Sequence, residues 1–188
     1  MKTTRYLMAA ALLSSVGVSF FVANAQETQP YSGQDRREVK ALDPAKIRGL
    51  MDGAGLGYAK AAELNGWPGP LHALELQAEL SLTAEQIEQV KSLREEMLAR
   101  AVPLGHDLIE AERELDRLFA SGSATRGLVE AATARVAHVE GQLRAVHLAA
   151  HIDTTPILTT HQRMLYARAR GYVEGGHDGA AHGTGHGG

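Results

Sequence analysis

From Ile87 to Leu118 the apolar residues fall at Ile87, Val90, Leu93, Met97, Ala101, Leu104, Leu108, Ala111, Leu115 and Leu118, in steps of three and four. That spacing is the seam of a long, coiled-coil-like helix, expected from Thr83 to about Phe119, which buries one narrow stripe and leaves its other faces to charge. A second series repeats the pattern at Leu128, Ala132, Val136, Val139, Leu143, Val146 and Ala150. Only the break at Ser121-Gly122-Ser123 separates them, and Ser123 or Thr125 is placed to cap the second helix. Two matched seams joined by a tight turn predict an all-α fold built on a long antiparallel helical hairpin with short flanking helices. Pro103 interrupts the first series, but the seam resumes in phase at Leu104, so a kink is expected rather than an end.

The flanks read less regularly. Asp43-Pro44 is an N-cap followed by proline at the first helical position, which predicts a helix from 45 to about 64. Gly49, Gly53, Gly55 and Gly57 weaken it by about 1 kcal/mol each relative to alanine. The spacing Gly49/Gly53/Gly57 implies close packing or a loose helix. Gly66-Trp67-Pro68-Gly69-Pro70 is a clear break, followed by a short helix over roughly 70–79 that carries Leu71, Leu74 and Leu76. A last short helix is expected over about 159–170. The organisation is therefore a signal peptide (1–25), a flexible N-terminal arm (26–42), a helical domain (43–170) and a disordered tail rich in His and Gly (171–188).

Export follows from the first segment. Lys2 and Arg5 precede an apolar run over 6–22, and Ala23-Asn24-Ala25 is a small-residue cleavage site. Loss of that segment leaves 17 basic against 22 acidic residues, a net charge of −5, and no stable membrane insertion is expected after cleavage. Without a basic surface to neutralise phosphates, nucleic acid is excluded as a partner. There is no cysteine, so an exported chain of this kind must hold together by packing alone. A hairpin buries one seam per helix and little else. That shortfall of core predicts a homodimer.

Two short motifs bracket the hairpin. Leu82-Thr83-Ala84-Glu85-Gln86 and Leu158-Thr159-Thr160-His161-Gln162 both read Leu-Thr-x-x-Gln. Each is a capping box, in which the Thr hydroxyl accepts from the backbone N–H three residues on and the Gln side chain reaches back. The pair, with the signal peptide and the hairpin length between, resembles the LTxxQ family of bacterial periplasmic proteins, which includes the Spy/CpxP-type chaperones and their heavy-metal-binding relatives. The resemblance covers roughly residues 70–170. It implies a cradle-like dimer that binds unfolded or partly folded periplasmic proteins without ATP. It also implies two alternatives: a periplasmic metal sensor or resistance protein, and an adaptor on the periplasmic domain of a sensor kinase. Leu82, Thr83, Gln86, Leu158, Thr159 and Gln162 take the motif positions, in an architectural role. Thr160 and His161 depart from the usual Pro-Glu or Pro-Ala there.

Nine histidines invite a metal reading. His147 and His151 stand i, i+4 on the second long helix, a two-ligand bite. His177, His182 and His186 lie in the tail, where flexible imidazoles suit Zn, Ni, Co or Cu. No cofactor is required. In a hairpin turning near Gly122, residues whose numbers sum to about 244 lie level, which sets His106 beside His138 and Met97 beside His147. Such pairs read more simply as surface histidines beside the seam, and His72 has only that bland reading. Glu95, Glu96, Glu110, Glu112 and Glu114 alternate with Arg94, Arg100, Arg113 and Arg117, as on a solvated, ion-paired helix face. No nucleophile elbow, zincin or Walker sequence occurs, and nothing points to an enzyme.

Overall fold

The computed structural model describes residues 29–172. The segment read as a signal peptide and His177, His182 and His186 lie outside that range. Residues 29–32 group with the N-terminal unit and form a turn in which the Ser32 N–H donates to the Gln29 carbonyl at 2.9 Å. The unit that begins at Gly33 carries everything below.

Among its described residues the secondary structure is helical throughout. The hairpin consists of α4 (Ala84–Ala120, 37 residues) and α5 (Arg126–Thr154, 29 residues). Gly122 turns the chain at φ 70°, and the Thr125 hydroxyl caps α5 by accepting from the Leu128 N–H at 3.4 Å. The antiparallel register shows in the Glu114–Arg135 ion pair at 2.6 Å, and in the packing of Ala101, Leu104 and Leu108 with Val139, Leu143 and Val146. At about 1.5 Å per residue α4 is roughly 55 Å long. It runs unbroken through Pro103. A proline inside a helix costs about 3 kcal/mol or more. Burial of Ala101, Gly105 and Leu108 around it offsets that cost.

The expected helix over 45–64 is two short ones, α1 (Pro44–Met51) and α2 (Lys60–Glu63). Between them Gly53, Leu56 and Gly57 adopt φ of 65°, 43° and 81°, which no right-handed helix admits. Here the glycines break the helix instead of merely weakening it. α3 (Pro70–Glu75) is shorter than the expected 70–79, because the chain leaves helical geometry at Leu76 and turns through Ser81 at φ 49°. The last helix, α6 (Thr160–Ala169), follows a 3-10 turn at Thr155–Ile157.

The arm expected over 26–42 is not loose in its second half. Val39 and Leu42 are fully buried, while Arg113 holds Glu38 at 2.6 Å and Asp116 holds Lys40 at 3.5 Å. Its charges conceal two core residues, since Val39 and Leu42 are three apart and flank Lys40. The tail expected from 171 likewise begins too early, because Tyr172 packs on the fold.

Two apolar cores result. One joins Val39, Leu42, Leu50 and Tyr58 to the middle of the hairpin. The other gathers Ala73, Leu80, Val90, Leu158 and Tyr166 at the end where both motifs lie. α1 crosses α4 so closely that a Cβ on Gly105 would overlap the Leu50 carbonyl oxygen. Gly141, on the exposed face of α5, has open space around it. Gly105→Ala should therefore destabilise the fold by about 1–3 kcal/mol through overpacking. Gly141→Ala should stabilise it by about 0.5–1 kcal/mol. Urea denaturation of the two variants tests this, and equal midpoints would remove the steric argument.

Candidate functional site

Both Leu-Thr-x-x-Gln motifs form complete capping boxes. The Thr83 hydroxyl accepts from the Gln86 N–H at 3.1 Å and the Gln86 Oε1 accepts from the Thr83 N–H at 3.0 Å. At Thr159 and Gln162 the same two bonds measure 3.2 and 2.9 Å. The boxes also meet. Gln86 Nε2 donates to Gln162 Oε1 at 2.9 Å, and Gln162 Nε2 donates to Gln86 Oε1 at 3.0 Å. A second bond from Gln86 Nε2 reaches the Ile157 carbonyl at 2.8 Å. Leu158 is buried beneath, with Leu82 packed against the same core. The six motif residues are thus one architectural unit that ties the start of α4 to the start of α6.

That tie positions a polar cluster. Tyr166 on α6 donates its hydroxyl to Glu63 of α2 at 2.7 and 2.9 Å, and accepts from the Gly69 N–H at 3.3 Å. The Tyr172 hydroxyl and Arg170 Nε reach the same carboxylate at 2.9 and 3.2 Å. Burial first, and then the Glu63 carboxylate, push the Tyr166 hydroxyl well above the usual phenol range. Glu63 also lies 3.6 Å from His151 Nδ1. The stronger partner of that nitrogen is the Trp67 carbonyl at 2.7 Å. A carbonyl only accepts, so Nδ1 carries the proton and, in the neutral ring, Nε2 keeps its lone pair. Gly69 is needed beside it, since a Cβ there would overlap the His151 ring.

One turn earlier on α5, His147 is 3% exposed. Its ring stacks on Tyr58 with centroids 5.8 Å apart and planes 18° from parallel. The Tyr58 hydroxyl donates to Glu140 at 3.3 Å, Arg144 lies 5.9 Å over the ring, and burial, followed by Glu140, pushes this phenol up to about 12. His147 Nε2 is buried with no hydrogen-bond partner among the described residues. Such an orphan costs about 1–3 kcal/mol. Burial first, then the neighbouring His151, hold the His147 imidazole below its ordinary 6.5, so the neutral ring is the folded form.

His147, His151 and Met97 line one cleft of about 580 Å³, together with Leu56, Arg94 and His72. His72 is also paired with Glu75 at 2.8 Å. His147 and His151 are therefore built into the fold and are not the surface histidines expected beside the seam. His106 and His138 are both exposed, as is His161 on α6. Among the described residues no three His, Asp or Glu side chains converge to hold a metal. The Glu63 carboxylate is already taken by two tyrosines and an arginine. What remains for an ion is two imidazoles and the Met97 thioether, a nitrogen-and-sulfur donor set.

No family model, no curated protein and no solved structure matches this chain. The site stands on its own geometry.

A second concavity of about 470 Å³ runs along α6. Met164, Leu165, Ala167 and Gly66 line it together with Thr160, His161, Arg163 and Arg168. Met164 is 62% exposed, and Leu64 and Trp67, two residues before and one after Gly66, are 55% and 43% exposed. Sequence reasoning passed over Tyr58, Glu63, Tyr166, Arg170 and Tyr172. The one signal for them was the Gly66–Pro70 break, whose backbone carries the acceptor for His151 and a donor to Tyr166.

The His147 shift fixes a pH dependence. Its folded-state pKa lies below that of the unfolded chain, so the unfolded state binds more protons as the solution acidifies. The stability that this group contributes is complete above about 6.5 and is lost as pH falls through the folded value. The drop in unfolding free energy between neutral and mildly acidic buffer should therefore be smaller in His147→Leu than in the parent. Equal drops in chemical denaturation at both pH values would refute it.

Proposed function

We propose that the protein is a periplasmic, ATP-independent chaperone of the Spy/CpxP type, working in the envelope stress response as a homodimer. One observation carries this reading: the groove along α6, lined by Met164, Leu165, Ala167 and two arginines, Arg163 and Arg168, with Met164 62% exposed. Contiguous apolar surface on a water-exposed protein marks a binding face. A shallow floor gives weak contacts, and flanking charge adds screened attraction, so an unfolded chain is held loosely. The interlocked Leu-Thr-x-x-Gln boxes support the same reading through the resemblance, because they set α6 in place. In light scattering without nucleotide, a few-fold molar excess of the protein should suppress aggregation of a chemically denatured client. Met164→Glu should weaken that suppression severalfold. No suppression by the parent would sink the proposal.

A second reading rests on the unpartnered Nε2 of His147 beside His151 and Met97: a heavy-metal-binding protein, with Cu the best match to that donor set and Zn, Ni or Co as the other ions to test. Calorimetry on the full chain and on a variant with His177, His182 and His186 all changed to Ala separates fold from tail. Affinity that survives the triple change and disappears with His147→Ala supports the reading. Affinity lost with the triple change alone makes the tail the only binder.

A further inference from the structure

The 580 Å³ cleft has more to offer than its two histidines. Its volume falls within the range of small-molecule pockets, about 300–1,000 Å³. Apolar walls come from Leu56, Leu71, Met97 and Leu98. Charge enters through Lys60, Arg94, Asp52 and Glu63. Glu63 is saturated by Tyr166, Tyr172 and Arg170. Asp52 and Lys60 are both exposed. Arg94 differs from them. It is half-buried, it lines the cleft, and its guanidinium joins no ion pair or hydrogen bond among the described residues. A guanidinium held against an apolar wall without a carboxylate has its planar fork of donors free.

Two more features point to a ligand here. His147, nine-tenths and more buried, leaves Nε2 without a partner on the same lining. The turn at the cleft is backbone-rich: Gly55 and Gly57 have no atom near a would-be Cβ, and Leu56 between them is held at φ 43°, which branched side chains seldom adopt. Strained backbone of this kind gathers at ligand-binding sites.

We propose that this cleft binds a small organic carboxylate with an apolar body, its carboxylate on the Arg94 guanidinium and its carbon skeleton over Leu56, Leu71, Met97 and Leu98. One guanidinium matches the two coplanar oxygens of a carboxylate, and four aliphatic or thioether side chains match a short hydrocarbon. The site is separate from the α6 groove on which the client reading rests.

Calorimetry with the full chain in EDTA tests it, with decanoate and cinnamate as probes below their aggregation thresholds. Decanol and decyltrimethylammonium control for apolarity alone and for charge sign. At least one carboxylate should bind one to one, with both controls at least about tenfold weaker, the cost of losing one charge-assisted bidentate contact. Arg94→Gln should lower carboxylate affinity by about the same factor at a nearly unchanged melting temperature, because the Arg94 guanidinium makes no ion pair or hydrogen bond with the described residues and Gln keeps most of its apolar stem. Met164→Glu should leave it unaltered. The proposal is overturned if neither carboxylate binds, if decanol binds equally, or if affinity survives Arg94→Gln. Affinity that falls with Met164→Glu instead would place the ligand in the groove, and would also overturn it.

Discussion

The reciprocal pair of amides between Gln86 and Gln162 is the contact on which the functional end of the molecule depends. Each glutamine oxygen accepts twice, once from its own box and once from the other glutamine. Either box alone caps a helix for about 1 kcal/mol. Joined, they also help fix the distance and angle between α4 and α6, together with the apolar core of Val90, Leu158 and Tyr166 beneath them. With Gln162 8% exposed, the amides are largely dry, and an unmatched partner there costs more than in water.

Consequences run outward from that pair. α6 carries Tyr166, and Arg170 and Tyr172 follow it. All three converge on Glu63. Glu63 draws α2 against the bundle, and the Gly66–Pro70 segment then delivers the Trp67 carbonyl to His151. His151 and His147 share one face of α5, so fixing one ring limits the other. The α6 groove and the histidine cleft are therefore both set by the same two helix starts, though neither motif supplies a binding atom to the cleft.

The hairpin was legible because periodicity reports burial directly: a stripe at steps of three and four has one physical solution. Thr83 and Thr159 were legible as caps for a similar reason, since a hydroxyl before an apolar run satisfies donors that nothing else reaches, while the cap of α5 lay between Ser123 and Thr125 until the structure gave it to Thr125. The site was not legible, because its partners are far apart in sequence. Glu63 meets Tyr166 and Tyr172 only after the chain has folded back twice. His147 sits next to Val146 in the seam, and a histidine in a seam reads as an edge residue until stacking on Tyr58 shows it to be core. Gly105 gave no signal either, because the close pass of α1 over α4 is a property of two elements together. In the segment 45–64 helix propensity alone understates what the glycines do. Left-handed φ at Gly53 and Gly57 turns a weak helix into a loop that makes one wall of the cleft.

A bare two-helix hairpin is convex wherever it meets solvent and encloses nothing. Concavity here comes from the irregular stretch between α1 and α3, rich in glycine and proline, whose turns at Gly53, Leu56 and Gly57 line the cleft against α4 and α5. Those residues are costly for stability: glycine gives up backbone entropy on folding, and Leu56 at positive φ adds strain. A chain without disulfides and with only two thin cores has little stability to give away. Retaining a half-buried guanidinium without a partner on such a cleft makes physical sense when a ligand supplies the carboxylate that the fold does not. That argument applies to this cleft more strongly than to the groove along α6, whose exposed Met164 costs the fold almost nothing.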